Sequence, residues 1–140
     1  FDNVPNNARI TLHLAPQGAV GAYGLSLRTT DGENDGTMLR LTPRAGTASY
    51  SASTHSGSGG TTTAGPAIDG LRGIDRAVRL DIVCRHDIVD VEIDGRHTLA
   101  NRFWDPRGNR FGVWVEDGAL LVTDVVIRPL VTVAVPRPSP

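Results

Sequence analysis

The strongest constraint on this chain is the alternation of apolar and polar side chains between residues 78 and 130. Apolar residues occupy every second position in 78–84 and again in 89–93. A period of two is typical of a β-strand with one buried face, and no segment carries a convincing amphipathic helical period. The sequence therefore predicts functional groups on a sheet face or in loops rather than in a helical pocket.

Further strands are predicted on both sides of this region. Between two of the early strands lies a turn-rich segment, residues 30–36, which predicts a hairpin. The last two strands meet at Asp117-Gly118 and form a final pair. The strand segments are Arg9–Leu14, Ala22–Arg28, Thr37–Thr42, Phe111–Glu116 and Leu120–Leu130. About eight or nine short strands with turn residues between them indicate an all-β fold, an antiparallel β-sandwich of the concanavalin-like type.

Residues 45–66 are poor in large apolar side chains. A segment of this composition favours a long surface loop, with one short strand around Tyr50. The chain's 140 residues suit one domain, with residues 1–130 forming the sandwich. Residues 131–140 are rich in proline and predict a tail or linker.

Charge and composition narrow the classes of partner. The formal net charge is −1, so there is no basic field to favour nucleic acid or an anionic membrane surface. No stretch is long and apolar enough for a membrane span. Cys84 is the one cysteine, which excludes an internal disulfide and a cysteine-based zinc cluster, and its apolar phase predicts a buried structural thiol.

The outward phase of the strands carries polar and aromatic side chains that suit a sugar. Arginine and carboxylate groups supply donors and acceptors for paired hydroxyls, and an indole covers the C–H face of a sugar ring. The alternative is a solvated face of cross-strand ion pairs, with Trp114 in a second core and Trp104 capping an edge. The candidate carbohydrate-binding residues are Arg28, Arg40, Asp90, Glu92, Arg102, Trp104, Trp114 and Glu116, with Asp81 and Asp94 on the same phase.

Three acidic residues at alternate positions, Asp90, Glu92 and Asp94, raise an enzymatic alternative. Residues two apart on one strand face lie ~6.5–7 Å apart, which is compatible with the carboxylate pairs of glycoside hydrolases. Against catalysis, this run leads directly into a tight turn. The preferred hypothesis assigns no catalytic residue.

Metal sites have little support in the sequence. Asp31, Glu33 and Asp35 resemble the opening of a calcium loop, but the twelfth position is Thr42 and the flanks are strands. An acidic hairpin turn is the preferred interpretation, with structural calcium as the alternative. The four histidines are scattered without ligand spacing, so no cofactor is expected.

The region 78–130 resembles the C-terminal β-sandwich of glycoside hydrolase family 32 and the related carbohydrate-binding module family 66. The similarity extends to Tyr23–Arg28, which resembles the family's F-G-L-x-L-R strand. The other matching segments are Leu80–Glu92, Asp94-Gly95-Arg96, Arg102-Phe103, Gly112–Gly118 and Pro129-Leu130. The resemblance is to a non-catalytic module.

This resemblance implies a carbohydrate-binding or accessory module attached to a glycan-active enzyme, secreted or at the cell surface. The implied ligand is a fructan such as levan or inulin, with another furanoside or plant polysaccharide left open. A structural alternative is a sandwich that supports a catalytic domain without binding sugar. In that case Trp114 would lie in an exposed apolar interface.

Overall fold

The computed structural model describes residues 1–30, 35–54, 61–103 and 107–131, apart from the side chains of residues 53, 54 and 61. This part of the chain forms β-strands joined by turns and loops. The strands are β1 (Ala8–Gln17), β2 (Ala22–Thr29), β3 (Gly36–Thr42), β4 (Thr47–Thr54), β5 (Thr61–Ile68), β6 (Val78–Arg85), β7 (Ile88–Ile93), β8 (His97–Arg102), β9 (Arg110–Glu116) and β10 (Ala119–Pro129).

Two five-stranded sheets pack face to face. The β1 sheet has the order β10-β1-β6-β7-β8, and the β2 sheet has the order β5-β4-β3-β2-β9. The paired strands in both sheets are antiparallel. The predicted antiparallel β-sandwich is confirmed.

The core lies between the sheets and is built by the alternating apolar residues. Strand β2 contributes Tyr23 and Leu25, and β6 contributes Leu80 and Ile82, all of them fully buried. The predicted burial of Cys84 is confirmed, since the residue is 4% exposed. Loss of water around the thiol raises its pKa to about 11, so it stays protonated and unreactive at neutral pH.

The predicted long loop over residues 45–66 is wrong. Strands β4 and β5 occupy most of it and extend the β2 sheet to its edge. Their inward positions need few large side chains, because Ala48 and Tyr50 are the core residues among the described side chains of β4. The remaining serines, threonines and alanines suit the solvent-exposed edge of a sheet. A segment with few apolar residues can therefore still form paired β-strands.

The predicted pairing of the last two strands is also wrong, although the strands themselves are present. Strand β9 pairs with β2, whereas β10 pairs with β1, so the connection at Asp117-Gly118 passes from one sheet to the other. Asp117 has a φ of 56°, which allows the sharp change of direction. The hairpin predicted between β2 and β3 is confirmed by their register.

The predicted proline-rich tail lies almost wholly beyond the described residues. The proline-rich tail is described only at Val131, which is 81% exposed. Within the described ranges, no helix is long and apolar enough to cross a membrane.

The two core tyrosines provide a matched test of the packing. The Tyr23 hydroxyl donates to the carbonyl of Ile74 at 2.7 Å, whereas the buried Tyr50 hydroxyl has no hydrogen-bond partner in the described part of the chain. We expect Tyr23→Phe to lower the free energy of unfolding by roughly 1–2 kcal/mol, because it leaves the Ile74 carbonyl without its donor. Tyr50→Phe should be neutral or stabilising, since it removes an unpaired hydroxyl.

Urea denaturation of the two variants and the parent protein measures this difference. Equal losses in both variants would contradict the hydrogen-bond assignment.

Candidate functional site

The predicted site residues do not lie on one surface. Arg40, Trp114 and Glu116 lie on the outer face of the β2 sheet, because their neighbours Leu39, Leu41 and Val113 face the core. The other sheet contributes Asp90, Glu92 and Arg102 to its own outer face. The two groups are separated by the core, so the expectation of a single polar face is wrong. Sequence phase gives the side of a strand but not the sheet to which the strand belongs.

Arg28 does not take the outward position that its phase predicts. A register shift in β2 between Leu27 and Thr29 gives Arg28 a φ of 57°, and the residue is 8% exposed. Its guanidinium donates to the side-chain oxygen of Asn6 at 2.8 Å and to the carbonyl of His86 at 3.0 Å. The group also lies 4.9 Å from the centre of the Phe103 ring. Arg28 therefore fastens the N-terminal segment and the β6–β7 turn to the end of the sandwich.

Three of the predicted residues fall outside the described residues, namely Trp104, Asp31 and Glu33. The remaining residue of the calcium hypothesis, Asp35, accepts hydrogen bonds from the backbone N–H and the hydroxyl of Thr30. Across the described ranges, no group of three His, Cys, Asp or Glu side chains is placed to hold a metal ion.

The carboxylates on the outer face of the β1 sheet have mainly local partners. Asp94 has a φ of 53° in the turn after β7, and its carboxylate accepts the backbone N–H of Arg79 at 2.8 Å. Arg102 pairs with Asp87 at 2.7 Å in an exposed position. Asp81 lies under Arg9, which donates two hydrogen bonds to its carboxylate and lowers the pKa of Asp81. Arg9, Asp81 and Arg79 form a cross-strand ion-pair cluster on this face, whereas one buried carboxylate oxygen of Asp90 has no hydrogen-bond partner in the described part of the chain.

Small residues shape the outer face of the β2 sheet. Gly24 lies opposite Arg40 on one side and Trp114 on the other. A Cβ at Gly24 would lie 1.9 Å from the carbonyl oxygen of Leu39 and 3.2 Å from the indole of Trp114. The missing side chain therefore allows Trp114 to lie over β2, where the indole is half-buried.

Arg40 and Glu116 form a bidentate ion pair beside this indole. Two nitrogens of the guanidinium donate to the two carboxylate oxygens, each at 2.7 Å. The hydrogen bonds raise the pKa of Arg40 and lower the pKa of Glu116, so both groups are charged at neutral pH. The guanidinium carbon also lies 5.6 Å from the centre of the Trp114 ring. These contacts hold two hydrogen-bonding groups and an aromatic ring in one fixed cluster.

A groove of about 570 Å³ runs along β9 from this cluster. We call it the Trp114 groove. Glu116 and Trp114 line one end, Ser26 and Gly112 lie in the middle, and Phe1, Asp2 and Arg110 line the other end. Its openness to solvent and its mixture of polar and aromatic groups fit a small polar ligand.

Several groove residues were not predicted from the sequence. The alternation of the strands places Ser26 and Met38 at outward positions. A serine hydroxyl or a methionine thioether does not by itself indicate a binding site in a sequence. Phe1 and Asp2 lie outside any periodic segment. Their position depends on hydrogen bonds between Phe1 and Phe111, and no sequence pattern identifies such a partner.

Solved structures with this fold include sugar-binding proteins. The carbohydrate binding module CBM66 from Bacillus subtilis superposes with a TM-score of 0.73 over 88% of this chain and 75% of that chain, at 12% identity. Galectin LEC-6 from Caenorhabditis elegans gives a TM-score of 0.62 over 91% and 86%, at 19% identity. Sucrose-6-phosphate hydrolase from Lactobacillus gasseri gives 0.54 over 86% of this chain and 24% of that chain, at 20% identity.

No protein-family model matches the sequence, and no curated protein matches it. At these levels of identity the structural likeness shows the fold. The predicted resemblance to the family 66 module and to a domain of family 32 hydrolases is confirmed at that level. The identity of a ligand depends on the groove itself.

Arg28 and Arg40 provide a matched test of which arginine is structural. We expect Arg28→Met to lower the free energy of unfolding by roughly 2–4 kcal/mol, because the Asn6 and His86 oxygens lose their buried donor. Arg40→Met should cost less than about 1 kcal/mol, because its ion pair with Glu116 is close to half exposed. Thermal and urea unfolding of both variants checks this. A large loss in Arg40→Met would make that residue structural as well.

Proposed function

We propose that this chain is a non-catalytic carbohydrate-binding module that holds a polysaccharide or oligosaccharide in the Trp114 groove. The observation that carries the proposal is that Trp114 and Glu116 line one end of the groove, with the Arg40 guanidinium held against both by a bidentate ion pair and a ring contact. The names of the structural neighbours, a carbohydrate-binding module and a galectin, support the same class of ligand.

The cluster matches the chemistry of a sugar ring. Glu116 accepts hydrogen bonds from hydroxyl groups, and Arg40 has further N–H groups beyond the two that bind Glu116. Because each group already holds the other in place, little side-chain entropy is lost when a sugar binds. The indole beside them offers an apolar surface for the C–H groups of the same ring.

The finer assignment is a fructan, such as levan or inulin, or a related furanoside polysaccharide. Its support is the likeness to the family 66 module and to the sucrose-6-phosphate hydrolase, together with the motif resemblance of residues 78–130. We further propose, as the motif resemblance implies, that the module belongs to a secreted or cell-surface glycan-active enzyme and adjoins its catalytic domain.

A purely structural role has one observation in its favour. Leu121 and Val126 on the edge strand β10 are large apolar side chains that are 53% and 39% exposed. They offer a surface on which an adjoining domain would pack. This surface belongs to the β1 sheet, so it leaves the Trp114 groove open and is compatible with sugar binding.

Affinity electrophoresis and calorimetry with levan, inulin, arabinan and xylan test the proposal. We expect binding to at least one glycan, with Trp114→Ala and Arg40→Met each weakening it about tenfold or more, because the centre of the site is removed. Arg102→Met, on the opposite sheet, is the matched control and should bind like the parent protein. Reducing-sugar release should be absent throughout.

The proposed site would be wrong if the parent protein bound none of the four glycans. It would also be wrong if Arg102→Met lost as much affinity as Trp114→Ala and Arg40→Met. Sugar release by the parent protein would overturn the non-catalytic assignment.

The ion pair also predicts how binding depends on pH. Arg40 lowers the pKa of Glu116 below the ordinary glutamate value of ~4.3, so the carboxylate stays charged until the pH falls through that lowered pKa. Affinity should be constant from about pH 8 to about pH 5 and decrease only at more acidic pH. Calorimetry from about pH 8 down into this more acidic range measures the affinity. Glu116→Gln should bind more weakly throughout and lose the acidic decrease; if the decrease persists in that variant, another group is responsible.

A further inference from the structure

The Trp114 groove has a second cluster at its far end that resembles the first in composition. Arg110 pairs with Asp2 at 3.0 Å, as Arg40 pairs with Glu116 at the near end. Phe1 lines the groove together with this second pair, as Trp114 lines it together with Glu116 of the first. Each end of the groove therefore combines an aromatic ring with a carboxylate and a guanidinium.

The Phe1 ring is held in position although it is largely exposed. Its backbone carbonyl accepts the N–H of Phe111 at 2.9 Å, and Val4 donates to the carbonyl of Asn109 at 2.8 Å, so the N-terminal segment runs beside the start of β9. The rings of Phe1 and Phe111 stack with centroids 5.2 Å apart. Phe1 is 57% exposed, which leaves much of its surface available in the groove.

The space between the two clusters exceeds one sugar ring. Arg110, Gly112, Trp114 and Glu116 share the outer face of β9. Trp114 lies four positions after Arg110, which is about 13 Å along the strand. Gly112 lies midway and has no side chain to block the passage. A Cβ there would lie 2.6 Å from the Ser26 hydroxyl, so the groove floor is low at this point.

The charges of the groove favour an uncharged ligand. Each of the two arginines faces a carboxylate, so the charge of each guanidinium is already paired. A uronic acid or a sulfated sugar would bring its negative charge close to Glu116 or Asp2. A neutral sugar avoids this repulsion and uses the same groups through its hydroxyls.

We propose that the Trp114 groove has two subsites and binds a neutral glycan through at least two sugar units, one at Trp114, Arg40 and Glu116 and the other at Phe1, Asp2 and Arg110. This inference rests on the proposed function, because it describes how the same groove binds its sugar. Phe1 is a specificity residue that contributes only when the ligand is long enough to reach it.

Calorimetry with short sugars tests the second subsite. The probes are fructose, arabinose and xylose, with the matching inulo-, arabino- and xylo-oligosaccharides of two and three units. We expect the two- and three-unit sugars of the recognised series to bind at least about tenfold more tightly than the single sugar. Glycans of that size that carry uronic acid or sulfate should bind more weakly than the neutral ones.

Variants separate the two ends of the groove. Phe1→Ala should remove the gain from the second unit and leave the affinity for the single sugar unchanged, and Phe1→Tyr should restore the gain. Trp114→Ala should weaken both affinities. Gly112→Val, with its fold checked by thermal unfolding, should also remove the gain by raising the floor between the subsites. Leu121→Ala, an equally exposed apolar residue on the other sheet, is the control and should change neither affinity.

The outcomes distinguish the two proposals. The second subsite is wrong if a single sugar binds as tightly as its oligosaccharides. It is also wrong if Phe1→Ala weakens the affinities for the single sugar and the oligosaccharides equally, or weakens neither. In these cases the proposed sugar site at Trp114 still stands. If the parent protein binds neither the single sugars nor the oligosaccharides nor the polymers, the proposed function is wrong and the two-subsite groove fails with it. A preference for the acidic glycans would overturn the neutral-ligand assignment.

Discussion

The apolar layer between the two sheets is the constraint on which the rest of this structure depends. Because the inward positions of β2, β3 and β9 must pack against those of β1 and β6, the intervening positions must face solvent. Arg40 on β3, and Trp114 and Glu116 on β9, occupy such positions on the two sides of β2. The packing of the core thus places side by side the groups that form the candidate site.

The β2 sheet departs from regular geometry where the candidate site ends. The bulge at Arg28 turns that side chain away from the outer face and into contacts with Asn6 and His86. These contacts fasten the N-terminal segment against the sandwich, and the same segment brings Phe1 and Asp2 to the groove. A local irregularity in one strand therefore positions part of the groove wall.

Gly24 and Gly112 explain why the groove exists on this face rather than on the opposite one. Without side chains at these positions, the indole lies across β2 and the floor along β9 stays low. The β1 sheet instead has Asp81 beneath Arg9, with Arg79 at 3.6 Å from the same carboxylate. The outer face of the β2 sheet therefore leaves open space. On the outer face of the β1 sheet, long side chains that form ion pairs cover the strands.

The sequence by itself determined the β fold, most of the strands, the burial of Cys84 and the outward phase of Arg40, Trp114 and Glu116, because a period of two is a local property of the chain. It did not reveal β4 and β5, whose small side chains carry little hydrophobic signal. Only the tertiary structure decided that β9 and β10 enter different sheets, that Asp90, Glu92 and Arg102 lie apart from Trp114, and that Phe1 lines the groove. The physical reason is that sheet membership and edge contacts arise from pairing between residues far apart in the chain, which strand periodicity does not encode.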